Sequence, residues 1–238
     1  MDAPALARTI DLLRAGRFVL LYDDDRREKE VDLFLAAEHA TPEALATLRR
    51  EAGGLVFLAV DPRVGEKLGL PFLHDLFADA AAKHPVLAKL TPNDIRYDAR
   101  SSFSLTINHR RTFTGITDDD RALTVREFGR LARDALAGAT PAAAQDAFGQ
   151  AFRAPGHVHL CVGAKRLLAE RKGHTELAVA LARLAGVTPV LVGAEMLATG
   201  KARSKEDAAA WARERGSVLV SGREVEDAWL KVEAGAAR

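Results

Sequence analysis

Residues 18–37 read FVLLY DDDRREKEVD LFLAA, two apolar runs on either side of ten mostly charged residues. Uninterrupted apolar runs of this length read as buried strands. The stretch between them, residues 23–32, carries six carboxylates and three cations. That many ions between two core strands cost free energy unless water, a metal or a substrate meets them. If its second half is extended, Glu28, Glu30 and Asp32 share one face, and Arg27, Lys29 and Val31 share the other. Carboxylates on a common face can hold a hard cation or move protons. A solvated, charged connection between strands is the competing reading.

Working outward, residues 3–15 pattern as an amphipathic helix with Leu6, Ile10 and Leu13 on one side and Gly16 as its stop. Thr41-Pro42 signals a second helix with Leu45 and Leu48 inside, ended by Gly53-Gly54, and residues 55–60 read as a strand. Residues 61–100 read as an irregular connection, a lid or a dimer contact. Phe103, Leu105 and Ile107 alternate as in a half-buried strand. Thr117 or one of Asp118, Asp119 and Asp120 caps a helix carrying Val125, Phe128, Leu131 and Ala135. Residues 137–145, AGATPAAAQ, read as a linker. Strands follow at 157–162, 189–194 and 218–220, with helices opening near His174, Ser204 and Ser221. The inner faces of the last two carry Trp211, then Val225, Trp229 and Val232. This pattern predicts an α+β fold: one three-layer domain over residues 1–238, with helices packed on a mixed, twisted β-sheet.

The chain has 238 residues, 48% hydrophobic and 28% charged, with a net charge of +1. That composition is globular, and it offers no uniform field or basic block to recruit nucleic acid or a membrane surface. The amino terminus is interrupted by Asp2, Arg8, Asp11 and Arg14, unlike a signal peptide. No uncharged stretch is long enough to span a bilayer. The single cysteine, Cys161, excludes an intrachain disulfide and fits a reducing compartment. These features predict a soluble, cytoplasmic protein.

Three further stretches carry candidate chemistry. In residues 170–186, ERKGHTELAVALARLAG, two cations, a glycine, a histidine and a threonine stand where a helix begins. Free N–H groups there favour an anion, Arg171 and Thr175 add directed donors, and a phosphate fits. His174 would sit beside it, able to act as a base or metal ligand; a capped helix with a surface basic pair is the alternative. At residues 153–158, RAPGHV, Pro-Gly predicts a tight turn that sets His157 at the head of a strand as an acid or base. His157, His159 and Cys161 would share a face, but a fourth ligand is lacking, and Cys161 reads as a small core residue. Around Gly115 the hydroxyls of residues 112–124 suit phosphate or sugar oxygens, while Asp118, Asp119 and Asp120 read as helix caps.

Taken together and in this order, Arg27-Glu28-x-Glu30-x-Asp32, TGIT-x-x-DR at 114–121, PGHV at 155–158, R-x-GHTE at 171–176, LARLAG at 181–186 and AEM at 194–196 resemble the 3,4-dihydroxy-2-butanone 4-phosphate synthases. The resemblance covers residues 17–227, and the PNDIRYD and SSFS of the 73–102 segment are similar to the archaeal branch. It implies a lyase of riboflavin biosynthesis that converts D-ribulose 5-phosphate to formate and L-3,4-dihydroxybutan-2-one 4-phosphate, with Mg2+ or Mn2+, as a homodimer. It further implies Glu28 and His174 as metal ligands. Substrate contacts would come from Arg27, Glu28, Asp32, Thr114, Arg171, Lys172, Gly173, His174 and Thr175. Catalytic roles fall to His157, Glu195, Asp23 and Glu30. Phe57 stands where the family commonly has cysteine, Val31 where it has a small residue, and Val162 where it has arginine. Two other readings keep the residues and change the outcome: a metal-dependent isomerase or aldolase acting on another sugar phosphate, and a non-catalytic phosphometabolite-binding protein.

Overall fold

Alternation along the strands settles the architecture of this protein, seen in a computed structural model that describes residues 5–236 apart from 92, 93, 96, 97 and 99. The strands are β1 (Val19–Tyr22), β2 (Val31–Ala36), β3 (Phe57–Val60), β4 (Phe103–His109), β5 (Phe152–Val162) and β6 (Val190–Glu195). A short hairpin, β7 (Leu197–Ala198) and β8 (Lys201–Ala202), stands apart, and β9 (Leu219–Ser221) closes the series. The main sheet has seven strands in the order β4-β5-β3-β6-β2-β1-β9, with β3/β5 and β1/β9 parallel and the other pairs antiparallel.

Successive side chains leave opposite faces, and both faces are covered. Leu20, Leu33, Leu58, Leu160 and Val192 pack with helices α2 (Pro42–Thr47), α3 (Pro62–Leu68), α6 (Asp118–Leu136), α7 (Pro141–Ala151) and α9 (Lys205–Glu214). Leu21, Phe34, Ala59 and Leu191 pack with α1 (Ala5–Arg14), α8 (His174–Ala185) and α10 (Gly222–Ala236). Two short helices, α4 (Leu73–Ala80) and α5 (Val86–Lys89), complete the set. This is the expected three-layer mixed-sheet domain. No helix among the described residues is long and apolar enough to cross a membrane.

Several local expectations are corrected. The acidic stretch is a turn from Asp25 to Glu28 with Lys29 at φ 60°, and extended backbone begins only at Val31. Residues 137–145 are not a linker, because Thr140 caps α7 by accepting from the Ala143 N–H and Pro141 opens it. Pro155-Gly156 makes no tight turn; it lies inside β5, which starts at Phe152. Residues 61–100 contain three helices, although Pro92, Asn93, Arg96 and Tyr97 of PNDIRYD lie outside the described residues. Val232 is exposed, whereas Val225 and Trp229 are buried as read. The box at Ser221 and Glu224 forms as expected, each accepting the other's backbone N–H.

Candidate active site

Register brings four strand positions to one end of the sheet on the α8 side. Asp32 pairs with Glu195 across β2 and β6, and Phe57 pairs with Gly193 across β3 and β6. A side chain at Gly193 would overlap the Phe34 ring, so glycine lets Phe34 lie across the sheet there. Gly54 was read only as a helix stop. In the fold it makes room for Glu195: any Cβ would overlap that carboxylate, which accepts the Leu55 N–H at 2.7 Å.

The acidic turn closes over this end. Asp23, at the end of β1, accepts the Glu28 N–H at 2.8 Å and the Glu30 N–H at 3.1 Å, which fixes the turn's path. The turn delivers Glu28 to His174, whose Nδ1 lies 3.1 Å from Glu28 Oε2; the other ring nitrogen faces the Glu30 carbonyl at 3.3 Å. Asp32 is 1% exposed and sits 3.8 Å from the same ring. Glu28, Glu30 and Asp32 thus line one cavity despite the missing strand.

The charges here shift one another. Burial pushes the Asp32 carboxyl up from 3.8 to about 7, and burial also raises Glu30. The hydrogen bond from His174 lowers Glu28. Burial pulls the His174 imidazole down, but Asp32, Glu28 and Asp23 outweigh it and hold the ring at about 9. Such a cluster also fits a divalent cation. Asp23, Glu28 and His174 each offer a ligand atom, all within 4.8 Å of one another, and buried Asp32 Oδ1 has no hydrogen-bond partner. Carboxylate oxygens with one imidazole are donors that Mg2+ and Mn2+ accept.

The far side of the cavity, whose volume is about 320 Å³, is basic. Arg171 lines it and reaches Asp98 through Nε at 3.0 Å and Glu176 through Nη1 at 2.6 Å. Arg27 grips the same Asp98 with two bonds of 3.1 and 3.0 Å. Glu176, wholly buried, also accepts the Ala164 N–H. Gly173 caps α8 in extended backbone, where a Cβ would strike the Arg171 guanidinium. Thr175 Oγ1 meets Ser102 Oγ at 3.1 Å beside the opening turn of α8. Lys172 pairs instead with Glu226, outside this cavity.

Thr114 and His157 form a second group, absent from the cavity lining. Asp120 accepts the N–H groups of Gly115, Phe113 and Thr114, contacts that hold its carboxyl below the usual range, and so shapes the TGIT loop; the cap of α6 is Thr117, and Asp118, Asp119 and Asp120 form the helix's first turn instead of capping it. Asn108 joins this loop to His157. Sequence alone gives no site role to Asp98, which stands at the end of PNDIRYD, to Gly54, which reads as part of a helix stop, or to Asn108. Of these only Gly54 left a signal, a second consecutive glycine that a helix stop does not need. Cys161 lines the cavity from β5, its thiol pushed up to about 12 by burial.

Residues 7–228 match the family model described as 3,4-dihydroxy-2-butanone 4-phosphate synthase. The enzyme of that name from Methanothermobacter thermautotrophicus is 42% identical over 228 residues, covering 95% of this chain and 96% of the relative. Its counterpart from Methanosarcina mazei is 45% identical over 227 residues, covering 94% and 90%. A crystal structure of 3,4-dihydroxy-2-butanone 4-phosphate synthase in complex with two magnesium ions superposes with a TM-score of 0.70 at 28% identity, covering 98% of each chain.

Proposed function

The chain belongs to the 3,4-dihydroxy-2-butanone 4-phosphate synthase family, and on that premise we propose a division of labour within its cavity. It is a lyase of riboflavin biosynthesis, converting D-ribulose 5-phosphate to L-3,4-dihydroxybutan-2-one 4-phosphate and formate. The isomerase, aldolase and non-catalytic readings find no support among these matches.

Arg171, Thr175 and the backbone N–H groups opening α8 take the substrate phosphate, with Arg27 beside them. Gly173 permits the close approach, and Lys172 adds charge at the rim. Binding exchanges Asp98 for the phosphate at the two guanidinium groups. Glu28 and His174 would hold Mg2+ or Mn2+, which supplies positive charge against oxygens that become anionic during the reaction. Asp32, titrating near neutrality, is suited to take and return a proton, and Glu30, raised by burial, serves beside it. Glu195, oriented by the Leu55 N–H, acts from the opposite strand. Asp23 keeps the turn in register with all of these.

Thr114 and His157 then come from a second copy of the chain, which makes the working unit a homodimer. Their separation from the cavity lining supports this, as does the exposure of neighbouring Phe113 (94%) and Ile116 (51%), apolar side chains that an interface would cover. Its place is the cytoplasm, in keeping with a lone, buried cysteine.

The observation that carries this reading is the 3.1 Å meeting of Glu28 and His174. Its test is 13C NMR of ribulose 5-phosphate incubated with protein and Mg2+. Formate is expected from the wild type and not from Glu28→Ala. A two- or three-carbon fragment, or formate release untouched by the substitution, would overturn it.

A further inference from the structure

Asn108 of β4 is 3% exposed and lies against His157 of β5, where the register of the two strands shifts between Ile107 and Asn108. Its contacts fix which way the amide faces. The His157 backbone N–H donates to Asn108 Oδ1 at 2.8 Å. A backbone N–H is only a donor, so the oxygen end of the amide must be the one it meets. The amide nitrogen Nδ2 then faces the Thr114 carbonyl oxygen at 3.4 Å and His157 Nδ1 at 3.1 Å. A primary amide nitrogen only donates, so Nδ1 must accept. The proton of the neutral ring is left on Nε2, and adding one at Nδ1 would set donor against donor.

Two motif glycines make room here, one for the Asn108 amide and one for the backbone that carries it. Gly115 has φ +96°, and a Cβ there would overlap the Asn108 side chain. A Cβ on Gly156 would run into the backbone of Ile107 and Asn108. Asp120, by gathering the N–H groups of residues 113–115, holds the Thr114 peptide that takes the amide's other proton. TGIT and PGHV are thus two halves of one cradle built around Asn108.

We infer that Asn108 is a positioning residue that holds His157 as the neutral Nε2–H tautomer, so that His157 serves the reaction as a hydrogen-bond donor through Nε2, keeping its proton, and not as a base. The inference rests on the reading of His157 as a catalytic group, and the two can fail separately.

Long-range 1H–15N correlation spectra of histidine-labelled protein near about pH 8, where an unperturbed imidazole is neutral, read the tautomer directly. His157 is identified by its loss in His157→Gln. In the wild type, Nε2 is expected to be the pyrrole-like nitrogen and Nδ1 the pyridine-like one. Asn108→Asp keeps the acceptor for the His157 N–H but replaces the donor with a carboxylate. The tautomer should reverse and kcat fall by about 100-fold, with KM little changed. A wild-type ring protonated at Nδ1, or a tautomer unmoved by Asn108→Asp, overturns the assignment. If the tautomers are as inferred but His157→Gln releases formate at the wild-type rate, the catalytic reading of His157 fails instead.

Discussion

Replacing Asp32 by asparagine should stabilise the metal-free protein at alkaline pH while abolishing turnover. The Asp32 carboxyl is 1% exposed and is held at about 7 rather than 3.8, first by burial and then by Glu195, Glu28 and Glu30. Between those two values the folded protein keeps a proton that the unfolded chain has lost. Stability from this group is therefore fully present below 3.8 and is lost as pH rises through about 7. At ~1.4 kcal/mol for each tenfold in proton affinity, the loss amounts to about 4 kcal/mol. The amide introduced by Asp32→Asn cannot ionise, so the stability difference between this variant and wild type should open from near zero at about pH 4 to several kcal/mol at about pH 8. Part of that gain is returned, because His174 loses its strongest anionic neighbour and titrates lower. The assay is urea unfolding with a chelator present, at a series of pH values, with His174 followed by NMR. Parallel stability curves for the two proteins would refute the argument that Asp32 holds a proton in the fold.

The remaining predictions concern neighbours of the same cavity. Gly54→Ala forces Glu195 aside and should lower kcat by about 100-fold with metal affinity retained, since displacements near 1 Å at a reacting group cost that much. Asp98→Asn removes the carboxylate shared by Arg27 and Arg171, so inorganic phosphate should inhibit at a concentration about tenfold lower; weaker inhibition would make Asp98 an organiser of the cations rather than their competitor. Gly193→Ala crowds Phe34 in the core and should cost about 1–3 kcal/mol by thermal unfolding.

What could be read in the chain was whatever local pattern encodes. Two apolar runs around the acidic stretch became β1 and β2, and the Gly173-His174-Thr175 opening became the start of α8. Thr140-Pro141 carried the same cap-and-proline signal as Thr41-Pro42, yet the alanines after it masked α7 as a linker. Face assignment by strand parity gave the right cavity for Glu28 and Glu30 for the wrong reason, because a turn and not a strand delivers them. Asp98 was out of reach in another way: its partners Arg27 and Arg171 lie 71 and 73 residues away, and no local spacing links them. Asn108 looked like one more polar position on a half-buried strand; only the donor and acceptor geometry around its amide gives it a role.

The convergence of Glu28 and His174 on one divalent ion is tested most directly by pulsed EPR of the protein loaded with Mn2+. The wild type should show coupling of the electron spin to one imidazole nitrogen, and the coupling should vanish in His174→Gln. Mn2+ bound without nitrogen coupling in the wild type would contradict that convergence.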